Sequence, residues 1–218
     1  MGICDASYRF IVADVGQKGS GNDAGIWELS QFCMGLEEGK INLPEPCILP
    51  NDTSGKLFPH MLLGDEAFPL RTFLMRPYPG RQLDNISKQI FNYRLSRGRR
   101  VIENTFGILT QRWRLLMRPI IANRARATSL VQAMCVLHNY LCTTQDANYI
   151  PPGYADGVGR GGELRNGFWR QDPTPPLNGL DTVNRSIPGA ALEIRERLRE
   201  YFSGDGSTDW QLQVVNRR

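Results

Sequence analysis

The sequence predicts an α/β fold, a mixed sheet with flanking helices, and three observations carry that expectation. Short apolar runs rich in β-branched and aromatic residues occur at residues 8–15 and 60–64 and stop at a glycine or an acid, as strands do. Longer stretches at residues 96–117 and 129–141 repeat apolar side chains at helical steps of three and four. Segments crowded with Gly and Pro separate the two kinds of run. At 218 residues, size scaling favours one domain and a tail over two full domains.

Taken in order, YRFIVADV at residues 8–15 reads as a strand ending at Gly16. Asp23 then caps a short amphipathic helix in which Ile26, Leu29, Cys33 and Leu36 share one face. Residues 39–59 hold Pro44, Pro46, Pro50 and Pro59 and read as a long loop. HMLLG at residues 60–64 reads as a buried strand delivering Asp65 at its C-terminal end. The clearest helix covers residues 96–117, where Ile102, Phe106, Leu109, Trp113 and Leu116 form the apolar stripe and Pro119 stops it. A second helix at residues 129–141 is expected to bury Leu130, Met134, Leu137 and Leu141. Residues 146–187 have the Gly, Pro, Asn and Asp content of an irregular linker. Pro188 opens a last helix, so residues 188–218 are expected to be a C-terminal helix and tail packed on the main domain, residues 1–145.

A hydrophobic content of 41% and a charged content of 22% are those of an ordinary globular chain. No apolar run approaches the ~20 residues of a membrane span, and the N-terminus lacks the build of a secretory signal. The expected location is the nucleus or cytoplasm, without membrane contact. Five cysteines with no C-x-x-C pair and two histidines argue for reduced thiols over a zinc cage. The net charge of +4 conceals an asymmetry: residues 71–127 carry 13 basic residues against Asp84 and Glu103, a local net of +11. A polyanion is the natural partner of such a segment.

Taken alone, Asp65 and Glu103 are ordinary surface acids. Their context is more specific, since Asp65 ends an apolar strand and Glu103 borders the apolar stripe of a helix, on a face shared with Arg99, Gly107, Thr110 and Arg114. Gly107 is expected to leave open space one turn beyond the carboxylate. Hard divalent cations such as Mg²⁺ or Mn²⁺ take carboxylate oxygens, and paired ions of this kind hydrolyse phosphodiesters. Arg97, Arg99, Arg100, Arg112 and Arg114 are the expected DNA contacts, neutralising phosphates; the alternative is that they snorkel over the stripe. Phe106 and Trp113 fit core packing better than base stacking, and His138 fits a helix-packing histidine bonded to a backbone carbonyl.

Several phrases taken together, LLGDEAFPLRTFLMRPYPG, FNYRLSRGRRVIENTFGILTQRWRLL, VLHNYL and the upstream ICDASYRFIVADVGQKGSGNDAGIWELS, resemble the DDE nuclease domain of PIF/Harbinger transposases. The resemblance covers residues 3–142 in continuous order. It implies an RNase H-like fold in which Asp, Asp and Glu hold two divalent metal ions for cutting DNA. Asp65 in GDEAF matches the second acid and Glu103 in VIENTF the third. The first acid belongs to a strand motif resembling I-D-G-x-H, which in the family precedes the stretch matching residues 3–15 and does not occur here. The expected fold therefore lacks its first, central strand, and a product starting further upstream is expected to carry it. Asp5 and Asp14 match later strands and read as turn or surface acids. The resemblance also implies a Myb-like DNA-binding partner protein. Three readings follow: a divalent-metal-dependent DNA endonuclease truncated at its N-terminus, a catalytically inactive, domesticated module that binds DNA or protein, or a truncated product that does not fold stably because a sheet without its central strand leaves backbone groups unpaired.

Overall fold

The computed structural model describes residues 1–17, 23–171 and 186–216 and shows a mixed α/β architecture. In chain order its elements are β1 (Gly2–Cys4), β2 (Phe10–Ala13), α1 (Asp23–Leu29), α2 (Gln31–Glu37), β3 (Cys47–Ile48), β4 (Leu57–Phe58), β5 (Leu62–Leu63), β6 (Leu74–Met75), α3 (Ile86–Arg112), α4 (Arg124–Thr144), α5 (Asp146–Tyr149), β7 (Gly157–Val158), β8 (Leu164–Arg165), α6 (Gly189–Ser203) and α7 (Gln211–Asn216). The strands form four separate two-stranded sheets among the described residues. Two compact units are present, Met1–Gly21 with Arg100–Asn178 and Asn22–Arg99 with Gly179–Arg218. No helix among the described residues is long and apolar enough to cross a membrane.

In the first unit β1 and β2 pair antiparallel with an irregularity between Ile3 and Cys4. The connection is built by Asp5, whose carboxylate accepts the backbone N–H groups of Ser7 and Arg9 and pairs with the Arg9 guanidinium at 2.7 Å. Tyr8 adopts a left-handed φ of 63°, which is why the strand begins at Phe10 and not at residue 8. Beneath the sheet, Phe10, Leu109, Met134 and Cys135 form a core joined by Ile102, Phe106, Trp113 and Leu116, so the predicted stripe packs as the sequence requires. The α-helix itself ends at Arg112, and residues Arg114–Met117 continue as a 3-10 turn before Pro119.

Helix α4 is rotated from the expected face. Met134 is buried, but Leu130 and Leu137 are exposed together with Val136 and Tyr140, while Cys135, His138 and Cys142 turn inward. Two polar anchors outweigh the apolar stripe. The Asn139 side-chain amide donates to Phe10 O and accepts from Phe10 N–H, each at 2.8 Å. The His138 Nε2–H donates to Tyr8 O at 2.7 Å, and Nδ1 then accepts the Tyr149 hydroxyl at 2.8 Å. Tyr8 O can only accept, which fixes the tautomer. The packing role expected of this histidine is the one it has.

The second unit corrects other expectations. Residues 23–37 form two helices because Ser30 interrupts them: its hydroxyl donates to Trp27 O at 2.6 Å and accepts Cys33 N–H at 3.0 Å, capping α2. Trp27 takes the core place, leaving Leu29 72% exposed. Asp23 opens α1, and its expected capping side chain lies outside the described residues. Strand β5 pairs parallel with β6, but the buried members are Leu74 and Met75; Leu63 is 40% exposed, so the strand before Asp65 is an exposed edge and not a buried one. Helix α3 starts ten residues earlier than predicted, with Asn85 accepting Lys88 N–H. Its first half buries Ile90, Phe91, Tyr93 and Leu95, side chains on several faces, which erases any single-face repeat. Phe91 and Leu95 join Phe58, Leu70, Met75, Tyr78, Ala191 and Leu198 in the main core of this unit, covered by α6.

Burial lowers the pKa of His138 from its usual 6.5, although the bond to Tyr8 O opposes the shift. A depressed folded value means the histidine's contribution is complete above pH 6.5 and is lost as pH falls through the folded pKa. Chemical denaturation followed across this range should show stability falling below pH 6.5 in the native chain, and a His138→Asn variant should lack that step.

Candidate active site

Asp65 follows Gly64 at the C-terminal end of β5, where its Oδ1 accepts Ala67 N–H at 2.9 Å and closes a turn. This turn fixes the carboxylate by the residue's own backbone. Its Oδ2 lies 3.7 Å from Arg99 Nη2, both side chains being partly exposed at 36% and 28%. A solvated pair of this kind contributes about 0–1 kcal/mol.

Glu103, in the other unit, projects from α3 with 48% of its side chain exposed and its Oε2 3.5 Å from Arg170 Nη2. That arginine is held by Asp156, an acid the sequence did not single out. The Asp156 side chain is fully buried and accepts from Arg170 Nη2 at 2.6 Å, Arg170 Nε at 2.8 Å, Arg100 Nη1 at 3.4 Å and Gly167 N–H at 2.8 Å. Burial alone would raise its pKa; the bonds from Arg170 and Gly167 and the charges of Arg170 and Arg100 outweigh that and hold it below the usual carboxylate value. Next to Glu103, Asn104 exchanges hydrogen bonds with both Asp156 backbone groups, at 3.0 and 3.3 Å, and accepts Trp169 Nε1–H at 2.9 Å.

The space expected beyond Gly107 is therefore filled. A Cβ there would overlap the indole carbons of Trp169, which is 6% exposed. Residues 146–171, whose composition suggests irregular chain, carry α5, the β7–β8 hairpin and a 3-10 turn at Phe168–Gln171 that seats Trp169 and Arg170 on α3. Residues 172–185 of the expected linker lie outside the described residues. Gly107 was the one sequence signal of this contact, since a glycine inside a helix costs about 1 kcal/mol and usually answers to close packing.

The five arginines expected to meet DNA have diverse surroundings. The Arg97 guanidinium stacks 4.3 Å from the Trp210 ring, and Arg99 faces Asp65. Arg100 is drawn to Asp156. Arg112 donates to Tyr149 O and lies 4.5 Å from the Tyr154 ring. Arg114 is exposed on the turn after α3.

The two carboxylates have the oxygen donors that Mg²⁺ or Mn²⁺ takes. Each, however, already faces a guanidinium, and no group of three or more His, Cys, Asp or Glu side chains is assembled among the described residues. These residues do not by themselves make a metal site. Asp5 is committed to its own turn and does not supply the third ligand.

Residues 1–139 match the family described as DDE superfamily endonuclease. The chain belongs to that family, whose chemistry generally uses divalent metals, and the resemblance to Harbinger-type nuclease domains is upheld. Over 145 residues it is 28% identical to Protein ALP1-like of Arabidopsis thaliana, covering 66% of this chain and 35% of that protein. The chain thus spans about a third of the length of this relative. No solved structure matches it.

Removing the charge of Asp156 leaves Arg100 and Arg170 facing a buried neutral amide. Asp156→Asn should cost about 3 kcal/mol, since breaking a buried pair strands its partners, and thermal unfolding would register it. Gly107→Ala should also lower the melting temperature despite alanine's better helix propensity, because the Trp169 ring must leave its seat; the fluorescence of Trp169 should shift to the red in step.

Proposed function

We propose that the chain is part of a transposase-derived, RNase H-like DDE nuclease that hydrolyses phosphodiester bonds in DNA with a divalent cation, Asp65 and Glu103 being the second and third of its acids. The observation that carries this reading is Glu103. It is one of two acids among 13 basic residues in residues 71–127, it sits exposed on α3, and a buried acid–arginine cluster holds its surroundings in place. A solvated surface acid needs no such support. The carboxylates present supply only part of a metal-binding set, so hydrolysis requires further donors.

A second reading, a catalytically inactive module that binds DNA, has its own support. Arg124 and Arg126 occupy the first turn of α4, both exposed, where the helix macrodipole disfavours cations. Exposed Arg114 and Arg118 precede them. Cations retained where they do not help the helix suit phosphate neutralisation.

Plasmid nicking and duplex binding separate the two. On the nuclease reading, protein that includes the remaining donors nicks DNA only with Mg²⁺ or Mn²⁺, and Asp65→Ala or Glu103→Ala abolishes nicking while duplex affinity changes little. On the binding reading, no variant nicks, and Arg124→Gln with Arg126→Gln lowers the salt slope of duplex binding by about two. Retained nicking in Glu103→Ala would refute the first reading; a salt-independent affinity would refute the second.

A further inference from the structure

In the second unit α6 turns Ala191, Arg195 and Leu198 to its buried face, at spacings of four and three residues. Ala191 and Leu198 belong there, in the core with Met75 and Tyr78. Arg195 is only 5% exposed and forms no ion pair with an acid among the described residues, although its charge and that of Glu196 attract. Its guanidinium lies 4.0 Å from the Tyr78 ring, and its buried Nε has no hydrogen-bond partner. No ion pair or hydrogen bond to Arg195 exists among the described residues. The nearest acid in sequence, Glu196, is committed elsewhere, accepting the Tyr78 hydroxyl at 2.6 Å and Arg199 Nε at 2.8 Å.

A second arginine is near enough to feel its charge. Arg76 follows β6, and its Nη1 donates to the carbonyls of Glu66 at 3.3 Å and Phe68 at 3.1 Å, the turn that Asp65 begins. Its Nε is likewise buried and without a partner. Burial pushes its pKa down, Arg195 and Arg71 push it further, and Glu66, exposed and forming no ion pair with it, is the one opposing charge. Two guanidiniums of like charge, close enough to repel, thus keep unspent donors in a site the solvent reaches poorly. The Tyr78 ring offsets part of that cost through its π-face. It cannot accept the guanidinium's in-plane N–H groups.

We infer that Arg76 and Arg195 form a binding site for a phosphate group. Arginine's planar fork suits the bidentate recognition of a tetrahedral oxyanion, and a ligand of charge −1 or −2 would cancel the repulsion between the pair. The group is a backbone phosphodiester of DNA or free phosphate, and the same arginines serve either. The site belongs to the second unit, Glu103 to the first, and the proposal does not require the nuclease reading. By holding the Glu66 and Phe68 carbonyls, Arg76 ties phosphate binding to the turn that presents Asp65.

Thermal unfolding of the whole chain in inorganic phosphate, against chloride at equal ionic strength, tests the site. At phosphate about ten times Kd, the native chain should melt roughly 3–5 °C higher than in chloride. Arg195→Met and Arg76→Met should lose that response, and in chloride Arg195→Met should melt no lower than the native chain, because it removes a repelling charge; Arg76→Met also loses its bonds to the Glu66 and Phe68 carbonyls and is read by its phosphate response alone. Arg195→Lys, which keeps the charge without the fork, should fold normally and respond weakly. Equal melting in phosphate and chloride would overturn the site, as would an Arg195→Met chain that melts lower in chloride yet still responds to phosphate. A 20-bp duplex decides the source: weaker duplex binding by both methionine variants assigns the DNA backbone, and unchanged binding assigns free phosphate. An intact phosphate response in a Glu103→Ala chain would keep the two proposals distinct.

Discussion

The buried carboxylate of Asp156 is the constraint on which the surroundings of Glu103 depend. A charge fully removed from water is tolerable only when its oxygens are filled, and here two guanidiniums and a peptide N–H fill them. Meeting that demand fixes Arg100 on α3 and Arg170 on the 3-10 turn, and with them the Trp169 ring over Gly107. Arg170 is then left facing Glu103. The candidate residue keeps its place through a neighbour whose own geometry is decided in the core.

The same interaction changes how the basic segment should be understood. Counted along the sequence, residues 71–127 carry a net +11, but Arg99 and Arg100 meet Asp65 and Asp156, acids from outside the segment or across a loop. Arg97 and Arg112 spend their cations on aromatic rings. Exposed guanidiniums of the segment are found at Arg81 before α3, at Arg112 at its end, and at Arg114, Arg118, Arg124 and Arg126 after it. Linear charge therefore overstates the field along α3.

Legibility in the sequence followed the kind of force at work. The stripe from Ile102 to Leu116 was readable because a single apolar face decides how that part of α3 packs. The first half of the same helix was not, since Ile90, Phe91, Tyr93 and Leu95 bury several faces and leave no period. Helix α4 was placed correctly and turned wrongly, because His138 and Asn139 bind the backbone of β2 and its approach, and polar bonds of that kind leave no mark in an apolar repeat. The motif wording put Asp65 after a strand and Glu103 on a helix, and the chain folds so at both positions. Asp156, Arg170 and Arg195 were not legible, for their roles come from contacts across 50 or more residues, or from the lack of a hydrogen-bond partner.

The Asn139 amide has a consequence for how this chain keeps its own company. A strand edge with unfilled N–H and C=O groups is a template on which another chain can lay a strand and begin to aggregate. At Phe10 both groups are already answered by a side chain that imitates the peptide unit of a neighbouring strand. The edge is closed there by one residue where a sheet would ordinarily spend a whole strand, and self-propagating pairing is denied a foothold at the start of β2.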